Sequence, residues 1–161
     1  MKTALLLLLA FILLIPVSLA ILGQISKSGS APGLVENKLS QCPDKPNCVC
    51  SEYRNDSAHF IAPIEIEASH TTLTIDHLKN IIEQMGGKIE ASVSGSNNYV
   101  AATFSSNWFG FVDDFEVYLD NSNHVIQVRS AARVGQSDLG VNRKRVELFR
   151  KRISQRLPQS Q

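Results

Sequence analysis

The chain has 161 residues, 43% of them hydrophobic and 19% charged; this excludes a globally disordered protein and leaves room for one folded domain with one core. The net charge of +1 hides an asymmetry, because residues 1–120 hold seven Lys/Arg against thirteen Asp/Glu and residues 121–161 hold nine against two. An acidic body therefore carries a basic end, and where the two pack together their charge is neutralised internally instead of being offered to a partner.

The first element in chain order is an export segment. Lys2 precedes twelve unbroken apolar residues, Ala4–Ile15, and no charge returns before Lys27. Ser18-Leu19-Ala20 sets small residues where a signal peptidase cuts, which predicts cleavage after Ala20. Ile21 and Leu22 nevertheless extend the apolar stretch to nineteen residues, Ala4–Leu22, long enough for a helix to cross ~30 Å of hydrocarbon. Residues 1–22 are thus a signal peptide or a retained transmembrane anchor, and the folded part is expected in the periplasm or an equivalent compartment. No cysteine lies near the segment's end, which argues against a lipid-anchored lipoprotein. Residues 23–40 contain the Ser/Gly/Pro-rich stretch Ser26–Gly33 and are expected to form a flexible tether.

A single α+β domain is expected over residues 41–157. Gln41–Cys50 is a compact loop limited by Pro43 and Pro46. Ile64–Ala68 alternates as a strand with one wet face. Ile75, Leu78, Ile82 and Met85 form the apolar stripe of a helix that Thr74 can cap and Gly86-Gly87 end. Strands over Lys88–Val93, Tyr99–Phe104, Phe111–Leu119 and His124–Ala132 make an antiparallel meander, with turn residues at Ser94–Asn98 and Asp120–Asn123. A last helix from Asn142 to Leu157 carries Val146, Phe149, Ile153 and Leu157 on its core side and stops at Pro158. The order predicts an antiparallel sheet of about four to five strands with two helices packed on one face.

Among the cysteines, Cys42 and Cys48 can close a short disulfide loop outside a reducing cytosol. Cys50 is left over, as a free thiol, an exchange partner for Cys48 or an intermolecular link. A metal site from Cys42, Cys48, Cys50 and His59 is the alternative, but the Cys-x5-Cys-x-Cys spacing departs from the usual two-residue knuckle. The four histidines stand apart from one another, and no cofactor or metal is expected.

Alternation along 111–119 puts Asp113 on the buried face with Phe111, Phe115, Val117 and Leu119, and Asp114 on the opposite face. An acid among phenylalanines has to be paired or protonated. In the following strand Arg129 and Arg133 share one face, while Ser130 takes the core side with Ile126 and Val128. Ser130, not Arg129, is therefore predicted to look toward Asp113. The polar turn Val134–Asn142, with Ser137 and Asp138, then leads to Arg143 and Arg145. Two readings compete for this cluster. Its peptide N–H groups and arginines could cradle an anion, or Asp113, Asp114 and Asp138 pair with Arg129, Arg133 and Arg145 to lock sheet, turn and helix.

Three motifs carry a resemblance: Cys42-Pro43-x-x-Pro46-Asn47-Cys48-Val49, Phe111-Val112-Asp113-Asp114, and Arg129-Ser130-x-x-Arg133-Val134-Gly135-x-Ser137-Asp138-Leu139-Gly140-Val141-Asn142-Arg143-x-Arg145. Together they resemble the domain-of-unknown-function family numbered fourteen ninety-nine, over about Gly33 to Leu157. The resemblance implies an exported or membrane-anchored protein of bacteria and plastid-bearing lineages, and brings no established activity. The family pattern has serine at the position of Cys50, which supports Cys42–Cys48 as the pair.

The last helix carries Arg143, Lys144, Arg145, Arg150, Lys151, Arg152 and Arg156 around one acid, Glu147, which can pair with Arg143 and Lys151. Outside the cytosol and without interleaved aromatics, this face excludes nucleic acid as a partner. It either balances the acidic body or meets anionic lipid. No nucleophile–base–orienter set is visible. The expected function is therefore a non-catalytic binding or assembly module, holding an anionic ligand or a partner protein with Arg133, Arg143 and Arg145 beside the Ser137–Gly140 turn. Two rivals are a hydrolase using Asp113 or Asp114 with arginine charge stabilisation, and a lipid or hydrophobic-ligand carrier built on Trp108, Phe109 and Phe111, aromatics that more often belong simply to the core.

Overall fold

Apolar periodicity and alternation organise two layers of helix and strand around an antiparallel sheet. The computed structural model describes residues 2–66, 73–91 and 96–156, and of residues 4–10 only the backbone. The leading apolar run forms α1 (Lys2–Ser26). Residues 11–18 of α1 are exposed throughout, and burial begins at Leu19. Among the described residues no helix is long and apolar enough to cross a membrane, a finding that leaves out the seven apolar residues 4–10 of α1.

The stretch expected as a tether is packed. Leu34–Val35 (β1) and Lys38–Leu39 (β2) form a hairpin around Glu36 and Asn37, both with positive φ, as a two-residue hairpin turn requires. Leu39 is fully buried and Ala31 nearly so. Ser/Gly/Pro composition hides such a hairpin, because its two leucines are too few to establish alternation.

The main sheet has six strands: β3 (Cys48–Cys50), β4 (Ile64–Glu65), β5 (Lys88–Ile89), β6 (Tyr99–Ser105), β7 (Val112–Asp120) and β8 (Val125–Ala132). Their order is β3-β8-β7-β6-β5, with β4 also on β8. The helices α2 (Ile75–Gln84) and α3 (Val141–Ser154) complete the chain. The expected α+β architecture is present, but with three helices and six strands plus the small hairpin in place of two helices and four to five strands. The extra strand β3 was expected as loop. Three residues give alternation nothing to register, and Cys48–Cys50 becomes a strand only because the free edge of β8 pairs with it. The ends of the strands expected at Ile64–Ala68 and Lys88–Val93, the first two residues of the Ser94–Asn98 turn and the Leu157–Pro158 helix end lie outside the described residues.

Both faces of the sheet are covered. Phe115, Val117, Leu119, Ile126 and Val128 meet Leu78, Ile81 and Ile82 of α2 and Val146, Phe149 and Ile153 of α3 in the larger core. On the opposite face Tyr99, Ala101 and Ala131 pack with Leu39, Ala31 and the three cysteines. The strand alternation thus sorts side chains into two chemically different environments, and the functional candidates divide between them.

Candidate functional site at the α1 end of the sheet

Asp113 and Asp114 are neighbours that point into different clusters. On the helix-covered face Asp113 Oδ2 accepts from Arg145 Nη2 at 2.8 Å. Arg145 also lies 4.6 Å over the Phe104 ring and donates to Ser130 Oγ and to Asn142 Oδ1. Ser130 Oγ donates to the same Asn142 oxygen, and Asn142 Nδ2 donates to the Asn47 carbonyl. Buried Asn142 therefore ties α3, β8 and the segment before β3 together. Ser130 does stand with Asp113 on the core side, as alternation predicts. Burial raises the Asp113 carboxyl above the ordinary aspartate range, and Arg145 opposes that shift.

On the opposite face Arg133 Nη2 donates to Asp114 Oδ1 at 2.7 Å and to Glu90 Oε1 at 3.0 Å, and its Nη1 donates to the Ser26 carbonyl. Arg129 Nη1 donates to Glu116 Oε2 at 2.7 Å. Fully buried Glu116 also accepts from Tyr99 and from the Gly33 amide. Burial raises the Glu116 carboxyl, with Arg129 opposing it. Arg129 Nε has no partner among the described residues.

Sequence reasoning named the arginines correctly but missed Glu90, Glu116 and Tyr99. Alternation places Glu116 on the face of Asp114, but only the β7–β8 register sets it opposite Arg129. Asp138, expected in an ion pair, instead accepts the Gly140 and Asn142 amides, while Ser137 Oγ accepts the Leu139 amide. The first turn of α3 is thus capped by the protein's own carboxylate. Arg133 and Arg145 lie on opposite sides of the sheet and do not converge on one ligand. Arg143 reaches the Phe60 carbonyl, and Glu147 pairs with Arg150 in place of Arg143 or Lys151.

Cys42 and Cys48 are joined by a disulfide, and Cys50 is a free, buried thiol. Burial pushes the Cys50 thiol up to about 11, so the leftover cysteine is a free thiol that is protonated and enclosed at neutral pH. His59 is held by Asp56 and by the Lys45 carbonyl, and the oxidised Cys42 and Cys48 are not thiolates. Among the described residues no cluster of His, Cys, Asp or Glu could hold a metal ion.

A cavity of about 530 Å³ opens beside the Asp113–Arg145 pair. Leu19 and Leu22 of α1, Phe111, Val134 and Val141 supply its apolar wall, and Ser105, Ser106, Asn107 and Ser137 its polar groups. The C-terminal end of α1 is built into this wall. A Cβ at Gly23 would run into the Phe109 carbonyl oxygen, and the Val112 amide donates to buried Ser26 Oγ at 3.0 Å. Trp108, expected among the core aromatics, is instead 90% exposed at the β6–β7 loop. No curated protein and no solved structure matches the chain. The family model described as "Protein of unknown function (DUF1499)" matches residues 38–153, a span that takes in the whole six-stranded sheet and most of both ion-pair clusters, and the chain belongs to that family.

Proposed function

We propose that this protein is a membrane-anchored binding module that stands outside the cytoplasmic membrane and holds an amphipathic ligand without transforming it. The observation that carries this reading is the cavity, whose size falls in the range of small-molecule sites and whose lining joins leucine, valine and phenylalanine to serine, asparagine and one ion pair. An anionic ligand held by arginines has less support, because Arg133 and Arg145 already face carboxylates on opposite sides of the sheet. A hydrolase has less support for the same reason, since Asp113 and Asp114 are each tied to a separate arginine.

Retention of α1 is favoured over cleavage because its contacts straddle the predicted cut after Ala20. Leu19 lines the cavity on one side of that point, and Leu22, Gly23 and Ser26 make their contacts on the other. The disulfide fits an oxidising compartment for the body. Exposed Lys144, Lys151 and Arg152 on α3 suit contact with anionic head groups.

Native mass spectrometry of the full chain, extracted from its own membrane in mild detergent, tests the ligand. A retained mass is expected in the wild type and its loss in Val134→Trp, which fills the cavity, with the circular dichroism of the two proteins alike. A wild type without adduct, or an adduct that survives in Val134→Trp, would overturn the reading.

A further inference from the structure

We infer that the rim of this cavity is seated on the lipid bilayer, with Trp108 and Leu139 in the membrane interface and the cavity mouth at head-group depth. The inference rests on the retained-anchor reading of α1. Its first support is length. Residues 2–18 of α1 precede Leu19, the first described side chain of the helix that meets the body. At ~1.5 Å per residue they reach about 25 Å, short of the ~30 Å of hydrocarbon that a spanning helix has to cross. A spanning α1 must therefore also place Leu19–Leu22 in the apolar layer, and Leu19 and Leu22 are already cavity wall. No slack chain separates span from body.

The second support is what stands at that end of the body. The β6–β7 loop, locked to α1 through Gly23 and Ser26, presents Trp108, and the β8–α3 turn on another side of the cavity presents Leu139, 88% exposed. Tryptophan is the side chain most suited to a membrane interface, with an apolar body and one polar N–H. Leu139 holds a positive φ of 55°, a backbone state disfavoured for a leucine. The Ser137 and Asp138 side chains, accepting amides on either side, stabilise the turn. Water offers no reason to keep a leucine extended in that way, whereas an acyl-chain layer does. Lys27 lies alongside Gly110 of the same loop, placing a cation where phosphate head groups would be.

Trp108 is the chain's sole tryptophan, so its fluorescence reports on the rim alone. The full-length protein is reconstituted into phosphatidylcholine vesicles with or without lipids brominated near the top of the acyl chain. Vesicle flotation, bromolipid quenching and aqueous iodide quenching are read together. Flotation with loss of most of the emission to bromolipid and little to iodide is expected. Leu139→Asp should reverse that balance without abolishing flotation. A floating protein whose Trp108 is open to iodide and untouched by bromolipid overturns the seating and leaves the anchor standing. Protection from both quenchers also overturns it, in favour of a second copy of the chain covering the rim. Failure to float removes the anchor reading and the inference with it.

Discussion

Glu116 and Arg129 face each other on the second side of the sheet, both deeply buried and 2.7 Å apart. Such a pair contributes little net stability, because desolvation of two charges offsets their attraction, yet removing one partner strands the other. Glu116→Gln retains an acceptor for Tyr99 and the Gly33 amide but leaves Arg129 without its counter-charge. It should cost about 3–5 kcal/mol. Adding Arg129→Met removes the stranded charge and its unpaired Nε, so the double variant should be more stable than Glu116→Gln alone. Urea unfolding of the four members of the cycle measures this, and additive costs would show that the two groups are not coupled. At this scale alternation assigned Asp113, Asp114, Ser130 and both arginines to their faces. It could not choose Glu116 for Arg129, because that choice depends on strand register, set by the turn at Asp120–His124.

Among the elements, α1 is the one whose role changes most on folding. Its apolar character was plain from composition, but its attachment to the body rests on two small residues that no hydropathy pattern singles out. Gly23 permits close approach to Phe109, and Ser26 supplies an acceptor for the Val112 amide. Gly23→Val would force helix and loop apart, with overpacking worth about 1–3 kcal/mol. The sheet should stay folded while the Val112 amide exchanges faster with solvent and the β6–β7 loop becomes sensitive to protease. Unchanged exchange at Val112 would mean that the contact does not hold α1 in place. The hairpin β1–β2 makes the same point in reverse, since a segment with linker composition becomes cover for the second core once Leu39 finds the sheet.

Across the whole molecule the buried carboxyls bias the pH response. Burial raises Glu52 and Asp113 above their ordinary values. A carboxyl raised in the folded state binds its proton more tightly there than in the unfolded chain. Its stabilising contribution is full below the unfolded pKa, near 4, and is lost as pH rises through the folded pKa. Asp76 is shifted the other way by Lys79, but it is fully exposed and screened. Tm should therefore rise as pH falls from 7 to 5, opposite to the usual loss of salt-bridged carboxylates. A Tm that falls over that interval would show that the arginine partners outweigh burial.

The α+β class, the five long meander and helix segments and the apolar leader were determined by the sequence alone, because periodicity and turn residues act over a few neighbours, and the Cys42–Cys48 pair followed from its short spacing together with the family resemblance. Tertiary structure alone decided the rest. It made a hairpin of Leu34–Leu39 and a strand of Cys48–Cys50, divided one polar motif between two faces of a sheet, buried Cys50, capped α3 with Asp138 and left Trp108 uncovered by the fold. Each of these depends on which surface a residue meets across the fold, and pairing an edge or closing a cavity brings together residues as distant as Gly23 and Phe109, beyond the reach of any local pattern.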